Sequence, residues 1–145
     1  MTTFTSTNNP SLTQDEAQIR QIITEHARAI CTKNLDQIMA FYAPDIVVFD
    51  MKPPLAHRGA AACHHLWATS LPCMPNPSGT ETQDLTITVS GDLALAHWLF
   101  RFTGLEPDHP AAQMWFRITA GYRRHQQGWQ SIHEHISVPI EPEAD

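Results

Sequence analysis

The side chains best suited to chemistry gather near the end of the chain, in Gly128–Pro139, which reads G-W-Q-S-I-H-E-H-I-S-V-P. In an extended strand, successive side chains point to opposite faces. Trp129, Ser131, His133, His135 and Ser137 would then share one face, and Gln130, Ile132, Glu134, Ile136 and Val138 the other. Imidazoles exchange protons near neutral pH, hydroxyls orient a ligand, and an indole gives an apolar wall. A solvated face could carry the same polar groups. Trp129 shares the histidines' parity, however, and a large aromatic is seldom left in water. The expectation is therefore that His133 and His135 point into a pocket with Ser137, while Ile132, Ile136 and Val138 pack away from it.

The stretch Ala111–Arg124 repeats the mixture. Gln113, Trp115, Arg117 and Thr119 alternate with Met114, Phe116, Ile118 and Ala120, and the first set is taken as the pocket face. Arg117 could bind a carboxylate or an oxyanion through two parallel hydrogen bonds, or pair with Glu134. His97 lies in Leu93–Thr103, a segment apolar on both faces, so parity cannot assign its side. Histidines at i and i+2, with His97 or Asp50, could share a metal ion, but the sequence has no H-E-x-x-H helix or cysteine cluster. It also lacks a G-x-S-x-G elbow and a glycine-rich phosphate loop. The expectation is neither a metal nor a cofactor.

Several elements must position these groups. Thr13-Gln14-Asp15-Glu16 is a capping box, expected to start a helix whose sticky face is Ile19, Ile22, Ile23, Ala27 and Ile30. Asn34 is expected to end it in the left-handed conformation. A second helix is expected over Leu35–Tyr42, stopped by Pro44, and a short buried strand over Ile46–Asp50. Gly59 opens a third helix at about Ala60–Leu71. After a proline-rich loop come four long strands: Glu81–Val89, Leu93–Thr103, Ala111–Arg124 and the closing segment. Helices followed by meandering strands give an α+β class, with helices laid on one face of an antiparallel sheet. Residues 13–139 would form a single domain, after a loose arm at 1–12 and before an acidic tail at 140–145.

The chain has 145 residues, 42% of them apolar, and a formal charge of −6. With no Lys/Arg cluster, nucleic acid and anionic membranes are poor partners. The densest apolar run, Leu93–Phe100, is too short to span a bilayer. Nothing at the N-terminus resembles a basic and then apolar signal sequence. Cys31, Cys63 and Cys73 are odd in number without C-x-x-C spacing, and read as reduced thiols of a cytoplasmic protein.

The order Asn34-Leu35-Asp36, Ala43-Pro44-Asp45, Phe49-Asp50 and Arg58-Gly59, followed by the G-W-x-x-I-H-x-H-x-S-x-P ending, resembles the NTF2-like superfamily. Within it, the chain is similar to ketosteroid-isomerase-like and SnoaL-like polyketide cyclase proteins. The resemblance covers about residues 13–139 and implies a cone-shaped fold: three N-terminal helices on a curved antiparallel sheet around a pocket. It also implies a homodimer through the sheet, here through one face of Leu93–Thr103 and Ala111–Arg124. Asp50 falls where the isomerases carry an aspartate that takes a proton beside a carbonyl; it could equally cap the Lys52-Pro53-Pro54 turn. His26 falls where they carry a tyrosine that hydrogen-bonds the developing oxyanion, and a core histidine is the alternative. Their third group, a protonated acid, is not placed on any residue of this sequence, and its loss together with that of the tyrosine weighs against steroid isomerisation. The expected site has Asp50, His26 and His133 as catalytic residues, with His135, Arg117, Trp115, His97 and Ser137 binding substrate. The expected function is acid/base chemistry of an isomerase, cyclase or lyase type on a small, largely apolar molecule. The alternative is a ligand-binding or oligomerisation module without catalysis.

Overall fold

The computed structural model describes residues 10–126 and 128–142. The arm expected at 1–12 lies outside the described residues for positions 1–9, as do the last three positions of the expected tail. The elements run α1 (Pro10–Cys31), α2 (Leu35–Met39), β1 (Tyr42–Phe49), β2 (His57–Arg58), α3 (Ala60–Ser70), β3 (Gly79–Ser90), β4 (Leu93–Thr103), β5 (Phe116–His125) and β6 (Gly128–Ser137). One six-stranded sheet has the order β2-β1-β6-β5-β4-β3. All neighbours are antiparallel except β1 and β6, which run parallel. This is the α+β cone: a curved, unclosed sheet whose concave face is covered by helices.

Helix α1 starts at Pro10, ahead of the expected capping box. Proline suits a first helical position because its missing N–H would have had no partner there. Asp15, from that box, works in tertiary structure instead. Its carboxylate takes two hydrogen bonds from Arg124, at 2.9 and 2.8 Å, and a third from Trp129 Nε1 at 3.2 Å. The Arg124 guanidinium holds the Asp15 carboxyl below the usual carboxylate range, against the opposing effect of burial. One side chain thus ties the start of α1 to β5 and β6.

Lys33, not Asn34, takes the left-handed conformation that ends α1, with φ 57°. Its N–H reaches Ile30 O while Asn34 N–H reaches Ala29 O, the paired bonds of a Schellman turn. Asn34 is free to cap α2, accepting from Gln37 N at 3.2 Å. Helix α2 ends at Met39, and Tyr42 begins β1 rather than closing a helix. The β-branched Ile46, Val47 and Val48 extend that strand, so Pro44 lies within an irregular stretch of it instead of stopping a helix. Gly59 opens α3 with φ 89°, a conformation a β-carbon disfavours, and donates to Ile46 O at 2.7 Å.

The core lies between α1 and the sheet. Ile19, Ile22, Ile23 and Ala27 meet Ala96, Trp98, Phe100, Ala120 and Tyr122, while α3 contributes Cys63 and Leu66 against Ile46 and Val48. β4 alternates with Ala94, Ala96, Trp98, Phe100 and Phe102 inward and Leu93, Leu95 and His97 exposed. β5 begins at Phe116, with 111–113 in turns, and buries Ala120 and Tyr122 while exposing Arg117 and Thr119.

β6 does not keep one parity. Tyr122 pairs with Ser131, but Gly121 pairs with His133, so Ile132 is an extra residue. This bulge exchanges the faces of everything after it. Trp129 and Ser131 point inward before it, and Glu134 after it; His133 and His135 turn outward.

Candidate functional site

An apolar cavity of about 210 Å³ opens between the helices and the concave face of the sheet. Its walls include Ile30 of α1, Leu66 and Trp67 of α3, Phe100 and Phe102 of β4, Phe116 and Ile118 of β5, and Ile136 of β6. Asp50, Met51, Lys52 and Ser70 line it on the side where Met51 and Lys52 are exposed, which marks the mouth. Asp50 also accepts from Lys52 N at 3.0 Å, so it both borders the cavity and holds the turn after β1. The Lys52 ammonium donates to Ser70 Oγ at 3.1 Å.

A smaller void of about 40 Å³, which shares Trp67, Phe100, Ile118 and Ile136 with this cavity, is lined by His26 and Glu134, and these belong to a polar cluster. Tyr42 donates its hydroxyl to Glu134 Oε2 at 2.7 Å and accepts from Trp67 Nε1 at 3.1 Å. His26 lies tilted beside the Tyr42 ring and edge-on to the Trp67 ring, 5.5 and 5.9 Å away between centroids. Its Nε2 is sealed from solvent without a hydrogen-bonding partner. Burial pulls the His26 imidazole below its ordinary range, partly opposed by the nearby Glu134 carboxylate. Burial, reinforced by Glu134, drives the Tyr42 hydroxyl well above the usual phenol range, so it remains a donor at neutral pH. The same two causes push the Cys63 thiol up to about 11, which makes it inert packing.

Of the residues named from sequence, Asp50 lines the cavity at its mouth and His26 lines an adjoining smaller void. The other six do not line the cavity. His133 and His135 lie on the convex face because of the Ile132 bulge, edge-on to Phe49 at 4.8 and 5.5 Å. His133 Nδ1 is 2.7 Å from Val47 O. Arg117 is also on the outer face and donates to Ser137 Oγ at 3.2 Å, whereas Glu134 is inside. The proposed Arg117–Glu134 pair is therefore geometrically excluded. His97 is exposed opposite Thr119. Trp115 precedes β5 and lies under the Arg101 guanidinium at 4.9 Å. Among the described residues no group of three or more His, Cys, Asp or Glu side chains is arranged to hold a metal.

Sequence reasoning missed Tyr42, Trp67 and Glu134 as a unit. The available signal was Glu134 itself, a lone carboxylate in the apolar series Ile132, Ile136, Val138. Such a charge is buried only when it is hydrogen-bonded or has work to do.

The cone, its order of elements and its helix-covered pocket define an NTF2-like fold. Residues 19–141 match the SnoaL-like domain, and the chain belongs to that family. An NTF2-like protein of unknown function from Pseudomonas putida KT2440 is 38% identical, with TM-score 0.81 over 90% of this chain and 91% of its own. A candidate dehydratase of the NTF2-like family from Streptomyces avermitilis is 16% identical, with TM-score 0.71 over 92% of this chain and all of its own. A candidate ketosteroid isomerase from Parabacteroides distasonis is 15% identical, with TM-score 0.68 over 98% and 96%. The last two likenesses concern the fold alone. No curated protein is detectably similar in sequence.

Proposed function

We propose that the chain binds a small, largely apolar molecule in the concave cavity and catalyses proton transfer on it, an isomerase, cyclase or lyase type of step. The observation that carries this reading is an apolar cavity with Asp50 at its mouth, adjoined by a smaller void that His26 and Glu134 line and that shares Trp67, Ile118 and Ile136 with it. Asp50 is the proposed base, because its carboxylate stands at the rim of an apolar cavity, where it can meet a C–H bond of a molecule bound within. His26, neutral because burial lowers its pKa, lines the adjoining void beyond the cavity's Trp67 and Ile118 walls. The family resemblance supports the Asp50 and His26 roles, and the likeness to a candidate dehydratase and a candidate isomerase agrees with acid/base chemistry.

Mass spectrometry of molecules released from the purified protein, compared with an Ile118→Trp variant whose cavity is filled, tests the binding part. A molecule released only from the wild type is expected. Asp50→Asn should fold and abolish turnover of that molecule; full turnover by the folded variant would remove Asp50 as base.

The exposed Leu93, Leu95 and Phe49 belong to the outer face of the sheet. That face is the proposed contact with a second copy of the chain. The three unpaired thiols fit a cytoplasmic location.

A further inference from the structure

The 210 Å³ cavity has its free polar groups at the mouth. Asp50, Lys52 and Ser70 stand there, and Trp67, the other lining residue with a polar side-chain atom, spends its indole N–H on Tyr42. Every other side chain of the lining is apolar. What is spare at the mouth is a pair of donors. An ammonium carries three N–H bonds. That of Lys52 gives one to Ser70 Oγ at 3.1 Å and makes no ion pair among the described residues. Ser70 is only 6% exposed, and its hydroxyl proton has no acceptor among the described residues. Asp50 is held by the backbone N–H of Lys52, at 3.0 Å, and not by its ammonium. A lysine ordinarily lays its stem on apolar surface and keeps its head in water. This head meets a buried hydroxyl in the cavity wall instead.

We propose that the bound molecule is a carboxylic acid with an apolar body, and that Lys52 and Ser70 hold its carboxylate at the mouth while the body fills the cavity. This rests on the reading that the cavity binds a small, largely apolar molecule, and it names the class. Lys52 is then a specificity-determining residue for the step whose base is Asp50. Two donors 3.1 Å apart suit the two oxygens of one carboxylate, one taking an N–H of Lys52 and the other the O–H of Ser70. An alcohol or ether oxygen leaves the ammonium charge unmatched, and a cationic head meets it with like charge. A phosphate monoester brings up to about two negative charges to a single ammonium. The mouth also limits the cost of desolvation. Lys52 is exposed, so the carboxylate keeps part of its water and only the apolar body is taken out of solvent. Size agrees: an apolar cavity of about 150 Å³ takes benzene, so 210 Å³ suits a ring with a short acidic side chain.

The test is titration of the full chain with phenylacetate, its neutral amide phenylacetamide and the cation phenethylamine, at low and at high salt, followed on the methyl resonances of Ile118 and Ile136. Phenylacetate should bind at least about tenfold more tightly than phenylacetamide, as a charge-assisted pair requires, and phenethylamine most weakly. The advantage of the acid should shrink at high salt. Lys52→Met keeps an apolar stem and the backbone N–H that Asp50 uses. In that variant the amide should bind as before, and phenylacetate should lose its advantage. Ser70→Ala should remove part of the advantage; if it does not fold, Lys52→Met and the salt series decide the matter. Equal affinities for acid and amide, tightest binding of phenethylamine, or a preference for the acid that survives Lys52→Met overturn the carboxylate subsite and leave the apolar cavity standing. Cavity methyls that move with the amide and not with the acid overturn it as well, since the acid then binds elsewhere. Failure of all three to bind overturns both the subsite and the reading beneath it.

Discussion

Tyr42 joins three elements of the interior. Its hydroxyl accepts from Trp67 on α3 and donates to Glu134 on β6, and its ring lies beside His26 on α1. Tyr42→Phe keeps the ring but leaves a carboxylate oxygen and an indole N–H buried without partners. The expected cost is about 1–3 kcal/mol, read as a lower urea midpoint with an unchanged slope. An unchanged midpoint would mean that Glu134 is held by something other than Tyr42. At this scale the sequence was legible in part. His26 could be placed inward from its spacing to Ile22 and Ile30, because a regular helix preserves periodicity over its length. Asp50 could be placed at the end of an apolar strand. Tyr42 could not, because Phe41-Tyr42 continues the helical pattern of Ile38-Met39, and only the sheet pairing to Ser131 pulls it into β1.

Among the elements, the bounds of β4 were legible to the residue from the turn at Gly91-Asp92, but its inward face was not, because Leu93–Thr103 is apolar at both parities. The order of helices, and the hairpin of β3 with β4, followed from the same local signals. β6 was not legible beyond its bounds. A bulge leaves composition unchanged and adds a residue without a hydrogen-bonded partner, so alternation read through Ile132 assigns every later side chain to the wrong face. The inference from Trp129 was sound for Trp129 and failed two residues beyond Ser131. Arg117 and Trp115 were misplaced by extension, their face having been chosen by analogy with β6. β2 is only two residues long and pairs with β1 through Val47 and Val48, too short for a periodic signal.

On the scale of the whole molecule, the sheet has a concave face closed by helices and a convex face with apolar residues in water. Leu93 and Leu95 are 55% and 49% exposed, and Phe49 is 37% exposed. Apolar side chains left exposed on one sheet face, Leu93 and Leu95 on β4 and Phe49 on β1, suit a self-complementary two-fold contact. Leu95→Glu should convert a dimer into a folded monomer, measured by light scattering with circular dichroism as control. A wild-type monomer at micromolar concentration would contradict the contact. Fold class was legible at this scale because helix and strand signals arrive in separate blocks; the chemistry was not, because the cavity is assembled from residues brought together across the sheet and helices.

The central claim is that ligand enters the concave cavity and not the histidine-bearing convex face. Methyl-resolved NMR during titration with toluene separates the two directly. Saturable shifts of Ile118 and Ile136, with Leu93 and Leu95 unmoved, are the expected result. Shifts confined to Leu93 and Leu95, or no response from the cavity methyls at saturating toluene, would contradict it.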